Sequence, residues 1–404
     1  MKEVCIINYV SKASVYGIGS YLKEYVYCLK RSGCKINLIE LGTDKSFTDV
    51  HIKEENNVCT MYIPYTTKGM IDKYNKSVCR LLRLYIKDSN NLIFHFHYMQ
   101  SESLLDSIKK YFPLSKSILT IHYLSWSQIL QENEILRFKK IVRQQGNEKI
   151  EKKYQHTIDL IKKEKTFLEK ADHVICLSED TLNLVHNLYQ VQTKLWLIPN
   201  GLRKQYSNLL EKQKHILRDK YYLNPEEKIL LFVGRIDSIK GIYPLLSCFD
   251  YVLKNYPNCR LVMVGDGNIN EAIRKSKKIL SKVIFTGKLD KKTVRQWYQI
   301  ADIALFPSFY EECSYVGIEM MMHGLPIVAS DGYSVRNMFH DGLNARVAKC
   351  GRTNKCFEHH LRTTILEMLN SDLSNLKKRA QNVYMSKYTV KFMQNGYMRL
   401  FNSI

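Results

Sequence analysis

The sequence predicts an α/β protein built from two Rossmann-like domains in tandem. Three observations lead there. Short apolar runs of strand length alternate with stretches of helical spacing, the order of a doubly wound parallel sheet. That alternation occurs twice, before and after Pro199-Asn200-Gly201. The length of 404 residues also suits two domains, at roughly 100–200 residues each. A chain of this size buries enough apolar surface to need no metal or disulfide for its core.

The first series opens with Val4-Cys5-Ile6-Ile7-Asn8-Tyr9, a short apolar run suited to a buried parallel strand. A loop with Gly17 and Gly19 follows. Tyr21, Leu22, Tyr25, Val26 and Leu29 then recur at helical spacing up to a stop at Gly33. Further strands are expected at Lys35–Leu41, Val58–Ile63, Leu92–Phe96, Ile118–His122, His173–Leu177 and Leu195–Pro199. Between the last pairs lies a lysine-rich helical region, Gln128–Lys170, with Lys139, Lys140, Lys149, Lys152, Lys153, Lys162, Lys163 and Lys165. It suits a solvated face with i,i+4 pairs such as Glu148–Lys152, or a surface that meets an anionic membrane or an acceptor. The second series has strands at Ile229–Val233, Leu261–Val264, Val283–Thr286, Ile303–Phe306 and Pro326–Ala329. The expected division is 1–202 for the first domain and 203–385 for the second. Residues 386–404 are expected as a helix returning to the first.

Charge is the unusual entry in the composition. Sixty-one Lys and Arg against 39 Asp and Glu give +22. Such a balance calls for an anionic partner: nucleic acid, an anionic lipid surface or a phosphorylated small molecule. The excess is spread over both halves, with no basic arm and no aromatic–basic interleaving, which argues against nucleic acid. No apolar run reaches the ~18 residues of a membrane span, and the opening residues do not read as a signal peptide, so a cytoplasmic setting is expected. Eleven cysteines without a Cys-x-x-Cys pair read as reduced thiols, several of them small buried hydrophobes. There is no Asp-x-Asp, no zinc-type ligand spacing and no P-loop.

Two segments carry candidate chemistry. Val233-Gly234-Arg235-Ile236-Asp237-Ser238-Ile239-Lys240-Gly241 leaves the end of a strand and enters a helix. Ligands bind at the carboxyl ends of strands in open α/β sheets, and Arg235 and Lys240 beside a helix N-terminus suit a diphosphate. Taken alone, the pattern also suits an ordinary basic turn. The second segment is Pro307-Ser308-Phe309-Tyr310-Glu311-Glu312-Cys313-Ser314-Tyr315-Val316-Gly317-Ile318-Glu319. Here Glu311 precedes a helix and Glu319 lies within it, while Cys313, Ser314 and Tyr315 can offer backbone N–H groups not used by the helix. Either glutamate could equally be solvated or simply complement the helix dipole. His95, His97 and His122 fall at strand ends in the first half, His122 being best placed to face a cleft.

Taken in order, these residues resemble glycosyltransferase family 4, the retaining nucleotide-sugar transferases of the GT-B fold. Glu311 and Glu319, separated by seven residues within Pro-Ser-x-x-Glu…Glu-Met-Met-Met-His-Gly-Leu-Pro-Ile-Val, resemble the family's Glu-x7-Glu segment. Gly234-Arg235…Lys240-Gly241 resembles its phosphate loop. The segments Ala171–Ser178, Ile198–Gly201, Val264–Gly267 and Asp341–Asn344 also match.

The resemblance implies a donor diphosphate on Arg235 and Lys240, ribose hydroxyls on Glu319, and the sugar near Glu311 with amides from Cys313, Ser314 and Tyr315. It further implies that His122 approaches the sugar, and that Gly17 and Gly19 let a first loop come close to donor or acceptor. The implied donor is a nucleotide-diphosphate sugar, with no metal or other cofactor. The implied acceptor is a saccharide, a lipid-linked group or a peptide, with cell-surface polysaccharide or glycoconjugate assembly as the setting and peripheral contact with anionic membrane as a further expectation. Departures from the family pattern are Glu312-Cys313-Ser314 in place of Gly-Phe-Gly, and Asn337 where a glutamate is common; both bear on the donor sugar. The alternatives on the same fold are a sugar-nucleotide hydrolase or epimerase. Outside that class, the alternative is a nucleic-acid-binding protein.

Overall fold

The computed structural model describes residues 1–9, 17–43, 49–64, 69–97, 102–130 and 148–404, except for the side chains of 128 and 148–153. It divides into two compact units. The first comprises Met1–Trp126, Glu151–Gly201 and Val390–Ile404; the second is built on Leu202–Thr389.

In the first unit the strands are β1 (Glu3–Tyr9), β2 (Lys35–Thr43), β3 (His51–Glu55), β4 (Val58–Pro64), β5 (Leu92–Phe96), β6 (Lys116–Ile121), β7 (His173–Cys176) and β8 (Lys194–Leu197). They form one sheet in the order β3-β4-β2-β1-β5-β6-β7-β8. All its pairings are parallel except β3 with β4. Central strands are mostly apolar, as in a parallel sheet covered on both faces; every residue of β5 is buried, His95 included. The chain runs outward from β1 to one edge and then restarts at β5, so the topological switch lies between β1 and β5.

β3 is not among the strands expected from apolar runs. Its His-Ile-Lys-Glu-Glu sequence is mostly exposed and sits at the sheet edge, where charge discourages pairing with other chains. Asn56 and Asn57 join it to β4 with φ of 52° and 61°, the left-handed pair that a two-residue hairpin turn requires. The helix Val390–Asn402 belongs to this unit and packs on the helix Gly17–Arg31, with the Tyr25 and Tyr397 ring centroids 4.5 Å apart.

The lysine-rich region is described in part. A 3₁₀ turn covers Ser125–Gln128, and a helix covers Glu148–Lys170 with a break at Tyr154, whose φ is −115°. Lys139 and Lys140 lie outside the described residues, as do the side chains of Lys149, Lys152 and Lys153 and those of the Glu148–Lys152 pair. Lys162 and Lys163 are exposed, and Lys165 pairs with Glu169 at 3.7 Å.

The second unit contains β9 (Lys228–Val233), β10 (Cys259–Val264), β11 (Val283–Gly287), β12 (Ile303–Phe306), β13 (Ile327–Ser330) and β14 (Arg346–Ala348). The sheet is all parallel in the order β11-β10-β9-β12-β13-β14. The three-residue β14 is too short for its apolar pattern to stand out. Here the chain switches direction between β9 and β12, so the loops that leave these two adjacent strands flank the position where such sheets bind ligands.

Candidate functional site

The loop after β9 is held open by backbone packing. Gly265 (φ +144°) must be glycine, since a Cβ there would lie 1.9 Å from the Gly234 carbonyl oxygen. This lets the loops after β9 and β10 zip together, with Ile236 N–H donating to the Asp266 carbonyl at 2.7 Å. Asp237 then caps a single turn, Ser238–Lys240, by accepting from Lys240 N–H at 3.2 Å. The same carboxylate pairs with Arg235 at 3.0 Å, leaving the guanidinium about half exposed. At Gly241 (φ +68°) a Cβ would lie 2.0 Å from the Pro307 carbonyl oxygen, so glycine lets the start of the helix Ile242–Asn255 press against the loop after β12.

That second loop is fastened in the same way. Phe309 N–H donates to the Ile239 carbonyl at 2.8 Å, and Glu311 N–H to the Tyr333 carbonyl at 3.1 Å. The rings of Tyr310 and Tyr333 stack with centroids 5.2 Å apart. The two neighbouring glutamates are thereby sorted. Glu312 is buried and takes a hydrogen bond from the Tyr310 hydroxyl. Glu311 meets Lys240, with Nζ 2.6 Å from Oε1; the two side chains are 18% and 11% exposed. A lysine and a glutamate this far out of water persist because each neutralises the other.

The next helix is Tyr315–Met322, with Ser314 as its N-cap accepting weakly from Gly317 N–H at 3.5 Å. The expectation of uncommitted amides at Cys313–Tyr315 needs correcting at its centre, because Ser314 N–H points at Met338 Sδ, 3.3 Å away. A thioether is a weak acceptor, so this contact is easily exchanged. Glu319 is within the helix, as the sequence suggests. It accepts a hydrogen bond from the Tyr298 hydroxyl at 2.9 Å. Burial raises the Glu319 carboxyl above its ordinary range, against the pull of Tyr298, Lys291 and Arg295, and burial likewise pushes up the Tyr298 phenol. His323, one turn further on, stacks on Tyr206 with centroids 3.9 Å apart; burial pulls its pKa down to about 3.

In the first unit His122 directly follows β6. It is half-buried, has the Tyr21 ring edge-on at 4.5 Å, and lies 3.2 Å from His97 through its Nε2. Burial pulls its pKa down to about 3, so the ring is neutral near pH 7. His95 is fully buried between the Tyr25 hydroxyl and Thr120 Oγ1, each at 2.7 Å, which makes it a structural histidine. Gly17 and Gly19 are not on a loop: they start the helix Gly17–Arg31, and among the described residues nothing within 4 Å would meet a Cβ at Gly17. Crowding by the described residues therefore does not demand glycine at Gly17. Tyr16 lies outside the described residues.

The structure thus brings Lys240 onto Glu311, Arg235 onto Asp237, Glu319 onto Tyr298, and His122 onto His97. Three of these pairings go unremarked in the sequence. Asp237 carried a signal, as an acidic N-cap two residues from the arginine it pairs with. His97 is noted there only as a strand-end histidine and Tyr298 not at all, because each reaches its partner from a different element. Among the described residues no group of three or more His, Cys, Asp and Glu is arranged to hold a metal ion.

Comparison with known proteins decides the family. A profile described as Glycosyltransferase Family 4 matches residues 15–205, and one described as Glycosyl transferases group 1 matches 213–383; together they take in most of the chain. The chain belongs to the family 4, group 1 glycosyltransferases. The family 4 chain is 30% identical over 183 residues to an alpha-monoglucosyldiacylglycerol synthase of Streptococcus pneumoniae, covering 44% of this chain and 41% of that protein. It is 27% identical over 146 residues to an alpha-D-kanosaminyltransferase of Streptomyces kanamyceticus, covering 35% and 38%. It spans less than half the length of the first curated relatives it matches. The fold is GT-B: sucrose-phosphate synthase of Thermosynechococcus elongatus superposes with a TM-score of 0.77 at 18% identity, covering 100% of this chain and 99% of that one.

Proposed function

We propose that this family 4 chain is a retaining glycosyltransferase that moves a sugar from a nucleotide-diphosphate donor to an acceptor. The observation that carries the reading is the Lys240–Glu311 pair, with Arg235 beside it, at the carboxyl ends of two adjacent strands where the sheet changes direction. A similar fold, a trehalose-6-phosphate protein from E. coli, is described as bound with UDP-2-fluoro glucose at 13% identity, and another from Anabaena as in complex with UDP.

On this reading the donor diphosphate replaces Glu311 as the counter-ion of Lys240 and draws Arg235 away from Asp237. Both cations then neutralise the charge that grows on the leaving diphosphate. Glu311, released, stands by the sugar, where oxocarbenium character develops as the glycosidic bond breaks. Glu319, oriented by Tyr298, accepts hydrogen bonds from the ribose hydroxyls. The amides of Cys313, Ser314 and Tyr315 sit at the helix start beside them. His122 contacts the sugar. No cofactor beyond the donor is invoked. The departing diphosphate and the incoming acceptor share one face of the sugar in a front-face displacement: the sugar–diphosphate bond breaks as the acceptor oxygen bonds to the same carbon, the acceptor's proton passes to the departing diphosphate, and configuration is retained.

The acceptor is a saccharide, lipid-linked group or peptide of cell-surface glycoconjugate assembly; named relatives act on lipid and on sugar. The rest of the +22 charge then serves approach to anionic acceptors or membrane, through lysines such as Lys162 and Lys163. Among the described residues no helix is long and apolar enough to cross a membrane.

A nucleotide-sugar panel tests the reading by thermal shift. A true donor at 100 times its Kd stabilises the fold by about 2.7 kcal/mol. Release of nucleoside diphosphate that requires both donor and acceptor supports transfer. Equal release without acceptor supports hydrolysis instead.

A further inference from the structure

The histidine pair at the ends of β5 and β6 has a hydrogen-bond account that closes in only one satisfactory way. His97 Nδ1 and His122 Nε2 are 3.2 Å apart, and both rings are neutral because burial holds their pKa values down. A neutral imidazole has one N–H and one lone pair, so one ring must donate and the other accept. The remaining atom, His97 Nε2, decides which. It is buried, in a residue 1% exposed, and has no hydrogen-bond partner among the described residues.

Were His122 to donate, His97 would carry its own hydrogen on Nε2, a buried N–H aimed at nothing. A buried unsatisfied group costs about 1–3 kcal/mol, and orphaned donors are rarer in proteins than under-used acceptors. Were His97 to donate from Nδ1, Nε2 keeps only a lone pair. The rings facing the pair are Tyr21, Tyr25 and His95. The phenols stay protonated and His95 stays neutral, so none of these rings brings a charge that would reverse the preference.

We propose that His97 is a positioning residue that holds His122 in the Nδ1–H tautomer. His122 then has its lone pair occupied by His97 and offers the outside a single N–H donor. It can hydrogen-bond an oxygen of a ligand, but it cannot take a proton from one. Joined to the reading that His122 contacts the donor sugar, on which this consequence rests, it makes His122 a donor to a sugar oxygen and removes it as a general base.

Nitrogen spectroscopy of the full chain labelled with ¹⁵N-histidine reads the tautomer directly through two-bond ¹H–¹⁵N correlations. The His122 signals are assigned by their loss in His122→Gln. The expected result is a pyrrole-type Nδ1 and a pyridine-type Nε2 at pH 7. In His97→Phe the preference should be lost or reversed and kcat should fall by ~10-fold, with donor KM nearly unchanged. His97→Asn keeps an N–H near the Nδ1 position and should restore both tautomer and turnover. A pyrrole-type Nε2 in the unaltered protein overturns the proposal, and needs no variant to fold. If the tautomer is as stated but His122→Gln turns over normally, the assignment of His97 stands and the sugar-contact reading of His122 falls.

Discussion

At the ends of β5 and β6, in the first unit, His97 and His122 are neutral rings packed against tyrosine. At the ends of β9 and β12, in the second, Lys240 and Glu311 are charged and 2.6 Å apart. Both sites grow from the same sheet plan, yet burial acts on them differently. An imidazole responds to a low-dielectric setting by staying neutral, so the first site can spend one hydrogen bond between its two rings and leave one N–H of His122 to present. A lysine and a glutamate drawn out of water offset each other's desolvation as an ion pair. On the proposed reading, the second site holds a cation whose counter-ion a phosphate ligand replaces. The first is a rigid presenter of one group; the second is an ionic socket.

The largest expected effect breaks the socket. Lys240→Ala should lower kcat about 10²- to 10³-fold in a donor-dependent diphosphate-release assay, as loss of a transition-state charge partner does elsewhere. A smaller loss there than in His122→Gln would reverse the comparison.

The second prediction concerns acid. The histidines of the first unit are neutral when folded and have an ordinary pKa near 6.5 when unfolded, so the folded state binds fewer protons between these values. Their stabilisation is complete above pH ~6.5 and declines as pH falls toward about 3, the folded value for His122. Each contributes a slope of at most about 1.4 kcal/mol per pH unit. His323 adds the same sign in the second unit, while Glu319, with its raised carboxyl, opposes it. Urea midpoints at pH 7, 6 and 5 should fall in that order, less steeply in His97→Phe. An unchanged slope in that variant would take the histidine cluster out of the account.

Tyr298→Phe should come next. Removing the hydroxyl on Glu319 should cost about 1 kcal/mol of stability and raise donor KM several-fold with kcat nearly unchanged. An unaltered donor KM would make the contact purely structural. The smallest effect lies far from both sites. Asn57→Gly, at φ 61° in the β3–β4 turn, should raise stability by no more than ~1 kcal/mol without changing turnover.

Much of the fold was legible because parallel strands covered on both faces are nearly all apolar. Val4–Tyr9, Leu92–Phe96 and Ile303–Phe306 announce themselves for that reason. The exposed edge strand β3 obeys the opposite rule: its charges hide it from an apolar search, although Asn56-Asn57 marked the turn. Placing Gly17 and Gly19 on a loop failed because a glycine pair reads as a turn, while the neighbouring apolar spacing already belonged to a helix.

The amino-acid sequence by itself determined the two α/β units, the family they resemble, and the residue types of the candidate site: Arg235, Lys240, Glu311 and His122 after strands, and Glu319 in the helix that follows. These follow from local periodicity and short spacings along the chain. Only the tertiary structure decided their partners. It chose Glu311 over Glu312 for Lys240, because stacking on Tyr333 ties Tyr310 and Glu312 inward. It also brought Tyr298 to Glu319 and His97 to His122 from separate elements. Pairings of that kind depend on which strands become neighbours in the sheet and how helices lie over them, and side-chain charge and proton placement follow from those contacts.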